Sequence, residues 1–287
     1  MMYYLLLLLL YPVSLLPLWV LYRLSDLAFV IIYYGMGYRR AVVLDNLRHA
    51  FPEKSEKELN KISQKTYRHF CDQWIETLKL LSISPKALSR RVEANWEVFH
   101  RLYREGKNSY SLLGHTYNWE WANVACGWNV SQQVAAIYLP LSSTSFDRFM
   151  LRLRSRSGSL LISMKSLKRG LIQLRKDHPY TVAQIADQNP SVTEVATWLP
   201  FMNRETPFFR GAEQLARRSR AAVLFCSIKR KKRGYYQIHL HCICEDASQE
   251  KQGSVLERYV QLLEQQIREQ PENWMWTHRR WKHTRKQ

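Results

Sequence analysis

The chain has 287 residues, 46% of them hydrophobic, which is enough for one substantial domain with an appendage or for two small ones. Its 43 Lys and Arg against 24 Asp and Glu give a net charge of +19, which calls for acidic partners: nucleic acid, anionic lipid or an acidic carrier protein. Among five cysteines only Cys242 and Cys244 are close, spaced C-x-C, and no C-x-x-C meets partner histidines, so neither a zinc site nor a disulfide framework is expected.

Residues 3–22 carry no charge and are dominated by leucine. About 20 apolar residues span a bilayer, so this stretch predicts a membrane helix kinked at Pro12 and Pro17. A cleaved signal peptide would need a basic start and a small-residue site, and neither is present. Leu27 to Tyr34 is apolar but too short to span, and predicts an interfacial segment. Arg39 and Arg40 follow, and positive charge on the C-terminal side alone places the main domain in the cytoplasm. The chain thus divides into a membrane anchor over 1–38 and a cytoplasmic domain over 39–287.

Ser55 with Glu58 forms a capping box, and Leu59, Ile62, Tyr67, Phe70, Trp74 and Leu78 follow a helical stripe, predicting an amphipathic helix over 55–81. An edge strand at Val92 and a helix over 96–105 come next. Ser109 to Leu113 reads as a short buried strand that stops at Gly114, with a helix from Tyr117 to Trp128. Further strands are expected at 134–139, 181–186, 221–228 and 235–244. Helices are expected at 146–156, 164–176, 211–219 and 254–269, and a loop at 200–204. Alternating strands and helices predict an α/β fold, a mixed central sheet flanked by helices, with the membrane helix at the N-terminus.

The stretch with chemical content is Gly114-His115-Thr116-Tyr117-Asn118-Trp119-Glu120. Five helical steps would swing Glu120 roughly 140° from His115, so the two meet only if His115 lies on the turn before the helix. Glu120, in the first helical turn, could then reach back to it. A histidine in hydrogen-bond reach of a hydroxyl can take its proton as it attacks a thioester. A carboxylate on the other ring nitrogen fixes the tautomer and stabilises the imidazolium. H-x-x-x-x-E alone is weakly specific.

The order of several landmarks adds to it: Asn46-Leu47, Phe51-Pro52-Glu53, His115 to Glu120-Trp121, Arg152-Leu153-Arg154, Asp187-Gln188, Leu215-Ala216-Arg217, and Pro271-Glu272 through Trp276-Thr277-His278-Arg279-Arg280-Trp281-Lys282. Over nearly its full length the chain resembles the late acyltransferases of lipid A biosynthesis, the lauroyl and myristoyl transferase family. The resemblance implies a bacterial inner-membrane enzyme that moves a fatty acyl group from acyl carrier protein to a lipid hydroxyl. It implies His115 and Glu120 as the catalytic pair, with Arg152, Arg154 and Asp187 on the substrate. The acyl thioester is then a co-substrate, and no metal or cofactor is implied.

The acidic carrier is expected on Lys165, Lys168, Arg169, Arg175 and Lys176 or on the Lys229–Arg233 turn, and anionic membrane lipid beside the N-terminal segment. Acceptors other than a lipid A precursor stay open: a lyso-aminolipid, a glycerolipid or a glycolipid. A membrane-tethered nucleic-acid-binding protein is the remote reading, since no nucleic-acid module is visible.

Overall fold

The computed structural model describes residues 2–175, 177–190, 192–283 and 285. Lys176 lies outside the described residues. The apolar N-terminus does not form the single span expected over 3–22. Helix α1 runs Met2–Leu15, breaks before Pro17, and α2 starts afresh at Leu18–Val30. Fourteen residues rise only about 21 Å, short of a hydrocarbon core of about 30 Å. Leu27 to Tyr34, expected as a separate interfacial piece, instead continues α2 through a π-helical turn over Ile31–Gly35. Leu18–Gly35, with a mean hydropathy of 1.3, is the one helix among the described residues long and apolar enough to cross a membrane.

Then follow α3 (Arg40–Ala50), α4 (Glu56–Lys79) and α5 (Pro85–Ser89). The Ser55–Glu58 box forms as expected, with the Ser55 side chain and Glu58 exchanging bonds with each other's backbone N–H. After β1 (Val92–Ala94) and α6 (Glu97–Arg104) come β2 (Ser109–Leu113), α7 (Trp119–Asn129), β3 (Gln133–Tyr138) and α8 (Thr144–Arg154). Next are β4 (Leu160–Ser163), α9 (Leu167–Ile172) and β5 (Tyr180–Ile185). The expected helix over 164–176 is thus only a 3-10 turn at Met164–Ser166 and the short α9. The expected loop at 200–204 is the turn of a hairpin, β6 (Thr197–Phe201) with β7 (Arg204–Phe208). The chain closes with α10 (Gly211–Arg218), β8 (Ala222–Lys232), β9 (Tyr235–Cys244) and α11 (Ser254–Glu269).

Seven strands form one sheet in the order β1-β9-β8-β2-β5-β3-β4. It is mixed, as expected: β8 and β9 are antiparallel, the other pairings parallel. Central β2 is buried along its whole length, and its residues alternate between two apolar clusters. Tyr110 and Leu112 pack with Val182, Val223 and the α11 side, and Leu113 packs with Leu224 and the α7–α8 side. Helices therefore cover both faces, as parallel sheets require.

Helix α2 is tied to the domain by polar bonds on one face and is apolar on the other. Ser25 Oγ donates to Asp72 at 2.7 Å and Tyr22 Oη to Glu76 at 2.8 Å, and Asp26 pairs with Arg233 at 2.8 Å. Asp72 also pairs with Arg230 and Arg233, both at 2.6 Å. The outward face exposes Leu5, Leu8 and Leu9 of α1, Trp19 and Leu27 of α2, and Ile31 of the π-helical turn that follows. The Lys229–Arg233 run is not the free basic turn expected. It extends β8, and Lys229, Arg230, Lys231 and Arg233 are each paired with a carboxylate.

Asp72 is the shared anion of two arginines, and Arg230 is nearly as buried as Asp72 itself. Removing one partner of a buried pair leaves an uncompensated charge, at a cost of about 3–5 kcal/mol. Asp72→Ala should therefore lower stability by about that much in thermal unfolding, whereas Glu93→Ala, on the exposed Lys231 pair, should cost under about 1 kcal/mol.

Candidate active site

The register of two parallel strands builds the site. Leu113, the last residue of β2, lies opposite Ile185, the last residue of β5. His115 and Asp187 each follow two residues later, so both emerge side by side at the carboxyl edge of the sheet. Open α/β sheets bind their ligands at that edge. The turn closes tightly because residue 114 is glycine. A Cβ there would sit 2.5 Å from Leu263 Cδ1 and 3.1 Å from Asp187 Oδ2.

The carboxylate that holds His115 is Asp187, not Glu120. His115 Nδ1 lies 2.5 Å from Asp187 Oδ1, and the His115 backbone N–H donates to Oδ2 at 2.7 Å. A third donor was not foreseen: Trp274 Nε1 reaches Asp187 Oδ2 at 2.7 Å. Burial alone would push the Asp187 carboxyl up, but the facing imidazole and these N–H donors outweigh it and hold the group at about 2. A carboxylate on Nδ1 makes that nitrogen the donor and leaves Nε2 as the acceptor. The Gln188 amide nitrogen stands 3.1 Å from Nε2. The ring is partly exposed and meets Trp119 edge-on at 5.2 Å.

Glu120 is spent elsewhere. It is buried at the start of α7, where Arg154 grips it through Nε and Nη2 at 2.6–3.1 Å and Trp119 Nε1 adds a bond at 3.1 Å. Helix geometry explains the failed reach: Glu120 leaves the first turn of α7 toward α8, while β5 has already delivered a carboxylate to the imidazole. Arg154 thus sits against Glu120 beside the site. Arg152, two residues earlier and roughly 200° around the helix, faces α1 instead, its Nη1 3.5 Å from the Tyr3 hydroxyl. The structure therefore brings His115 together with Asp187 and Glu120 together with Arg154, and sets Arg152 apart from both pairs.

The C-terminal tail clasps the His115 turn like a short strand. Met275 N–H donates to the His115 carbonyl and Tyr117 N–H to the Asn273 carbonyl, both at 3.0 Å, and Thr116 bridges Trp274. Asn46, buried on α3, holds the tail from behind by donating to the Trp276 and His278 carbonyls, both at 2.9 Å. Two landmarks distant in sequence, Asn46 and the Trp-rich tail, thereby serve one purpose. Asn118 caps α7 through the Trp121 N–H and donates to buried Glu76 at 2.8 Å, which links the turn to α4.

The lowered Asp187 carboxyl has a consequence for acid stability. A depressed folded value stabilises the protein above the ordinary carboxylate range, near 4, and that stabilisation is lost as pH falls toward 2. It amounts to about 2 kcal/mol. Chemical denaturation at pH 5 and at pH 2 should show the gap between wild type and Asp187→Asn shrinking by about that amount. An unchanged gap would mean that the carboxylate is not so held.

The model of a known family matches residues 1–283, described as the bacterial lipid A biosynthesis acyltransferase. No curated protein matches the chain. The family match covers the sheet, the His115 turn and the tail that clasps it, so the chain belongs to the bacterial lipid A biosynthesis acyltransferases and is an acyltransferase.

Proposed function

We propose that this enzyme transfers a fatty acyl group from acyl carrier protein to a hydroxyl of a lipid A precursor at the cytoplasmic face of the bacterial inner membrane. The observation that carries the reading is the His115–Asp187 pair at the carboxyl edge of the sheet in a chain of this family. Asp187 keeps Nδ1 protonated and Nε2 bare. The acceptor hydroxyl replaces the Gln188 amide at Nε2 and gives up its proton as its oxygen attacks the thioester carbonyl. The tetrahedral intermediate collapses, the C–S bond breaks, and the thiolate takes the proton from the imidazolium. Buried Asp187 stabilises that cation while it lasts. In this reading, backbone N–H groups of the turn stabilise the developing oxyanion. Arg154 fixes Glu120 at the edge of the site.

Membrane association rests on the exposed leucine-rich face of α1 and α2, the kind of apolar surface that marks membrane or partner contact. The ion pairs on the inner face of α2 favour a helix laid against one leaflet over one that crosses alone. For the acidic carrier, Lys165, Lys168 and Arg169 make no ion pair among the described residues, in contrast with the paired Lys229, Arg230, Lys231 and Arg233.

Purified protein with radiolabelled acyl thioesters of carrier protein and of coenzyme A, and a panel of lipids, tests the reading. Transfer from the carrier to a lipid A precursor is expected. Transfer only to another lipid would reassign the acceptor, and no transfer from either donor would overturn the reading. His115→Ala should lower kcat about 10²–10⁴-fold, the usual worth of a general base. Trp274→Phe keeps the ring and loses one N–H on Asp187. It should lower kcat about threefold to tenfold with KM unchanged, as expected for the loss of one hydrogen bond of about 1 kcal/mol.

A further inference from the structure

Helix α8 carries Arg148 and Arg152, and Arg156 follows just past its end, at four-residue spacing that stacks them along one side. Arg154, between them, turns away to Glu120. Among the described residues no carboxylate pairs with any of the three. Like charges at this spacing repel. Arg152 accordingly helps burial to pull the Arg156 guanidinium down, against the opposing pull of Tyr11. Two Arg156 bonds go to the backbone carbonyls of Leu80 and Ile83.

The helix facing this row, α1, has no charged residue at all. It offers rings instead: the Arg148 guanidinium lies 4.3 Å from the Tyr3 ring centre and 5.7 Å from that of Tyr4. Between the two helices runs a groove of about 450 Å³. Leu7, Leu8, Leu81 and Leu153 line it, and Arg152 and Arg156 border it. That volume falls within the range of small-molecule sites, about 300–1,000 Å³. Tyr4, Leu8 and Tyr11 line the groove and are themselves exposed on the outer apolar face of α1. The groove is therefore reached from the side of the molecule that the leucines present to lipid.

We propose that this groove seats an anionic phospholipid of the surrounding bilayer, its acyl chain between α1 and α8 and its phosphate on the Arg148–Arg152–Arg156 row. The charge complementarity decides the occupant. Three guanidinium groups with no carboxylate partner among the described residues leave net positive charge along one side of the groove, and guanidinium binds phosphate in bidentate fashion. The leucine-lined floor takes a chain that a free phosphate lacks. The seat is separate from the reaction, because the row faces away from Glu120 and the His115–Asp187 pair. It rests on the reading that the outer face of α1 lies in lipid. Its consequence is that bilayer lipid completes the packing of α1 on the domain.

The test is native mass spectrometry of the full-length chain, delipidated and released from micelles holding phosphatidylglycerol or phosphatidylcholine. One phosphatidylglycerol should be retained about tenfold or more over phosphatidylcholine. The Arg148→Gln/Arg152→Gln double variant, altered only at exposed positions, should lose that preference. Leu8→Trp, which fills the groove, should lose retention of both lipids, and a cooperative melt of each variant shows that it is folded. Equal retention of the two lipids by the wild type, or retention unchanged in both variants, would overturn the proposal. Displacement of the lipid by an acyl-carrier thioester would also overturn it, by making the groove a donor channel. Lipid retention is scored without acyl transfer, so failure of the proposed reaction leaves this result readable.

Discussion

The parallel pairing of β2 with β5 is the constraint on which the rest depends. Because Leu113 and Ile185 end their strands as partners, the residues two steps on, His115 and Asp187, cannot avoid each other. A slip of one residue in this register would put a side chain on the opposite face of the sheet and separate the pair. The burial of β2 on both faces holds the register in place. The apolar layers and the site are thus one arrangement: the core sets the strands, and the strands set the imidazole.

Everything packed around the carboxyl edge serves to keep that edge still. The tail pairs with the turn, Trp274 bonds Asp187, and Asn46 holds the tail. On the other side Glu76 grips Asn118 and is itself bonded by Tyr22 of α2. Burial raises the Glu76 carboxyl, while Arg230 and the donors Tyr236 and Asn118 oppose the rise. Helix α2, with its exposed apolar surface, and the His115 turn therefore share one buried carboxyl group. Seating α2 on the domain and ordering the turn become parts of one structure.

Much of this was legible in the residues. The capping box at Ser55, the buried strand ending at Gly114, the β8–β9 hairpin and the mixed sheet follow from local pattern. So does the placement of His115 on the turn before α7. Its partner was not legible, because a carboxylate five positions away is visible in the sequence while strand order is not. Asp187 ends an apolar strand much as His115 does, and that shared placement was the available signal. Arg152 and Arg154 look interchangeable in a basic stretch, and only the 3.6-residue turn sends them to opposite sides. Pro17 was read as a kink, yet it ends one helix and begins another. The ion pairs of Lys229 to Arg233 lie with residues far away in the chain, so that run read as free charge.

The proposed chemistry turns on the state of one ring, and nitrogen-15 NMR of labelled protein near neutral pH reads it directly. The His115–Asp187 pairing predicts a proton on Nδ1, with a strongly downfield N–H that moves upfield in Asp187→Asn, and a bare Nε2 in the neutral ring. An Nε2–H tautomer, or a His115 signal indifferent to Asp187→Asn and sensitive to Glu120→Gln, would contradict it.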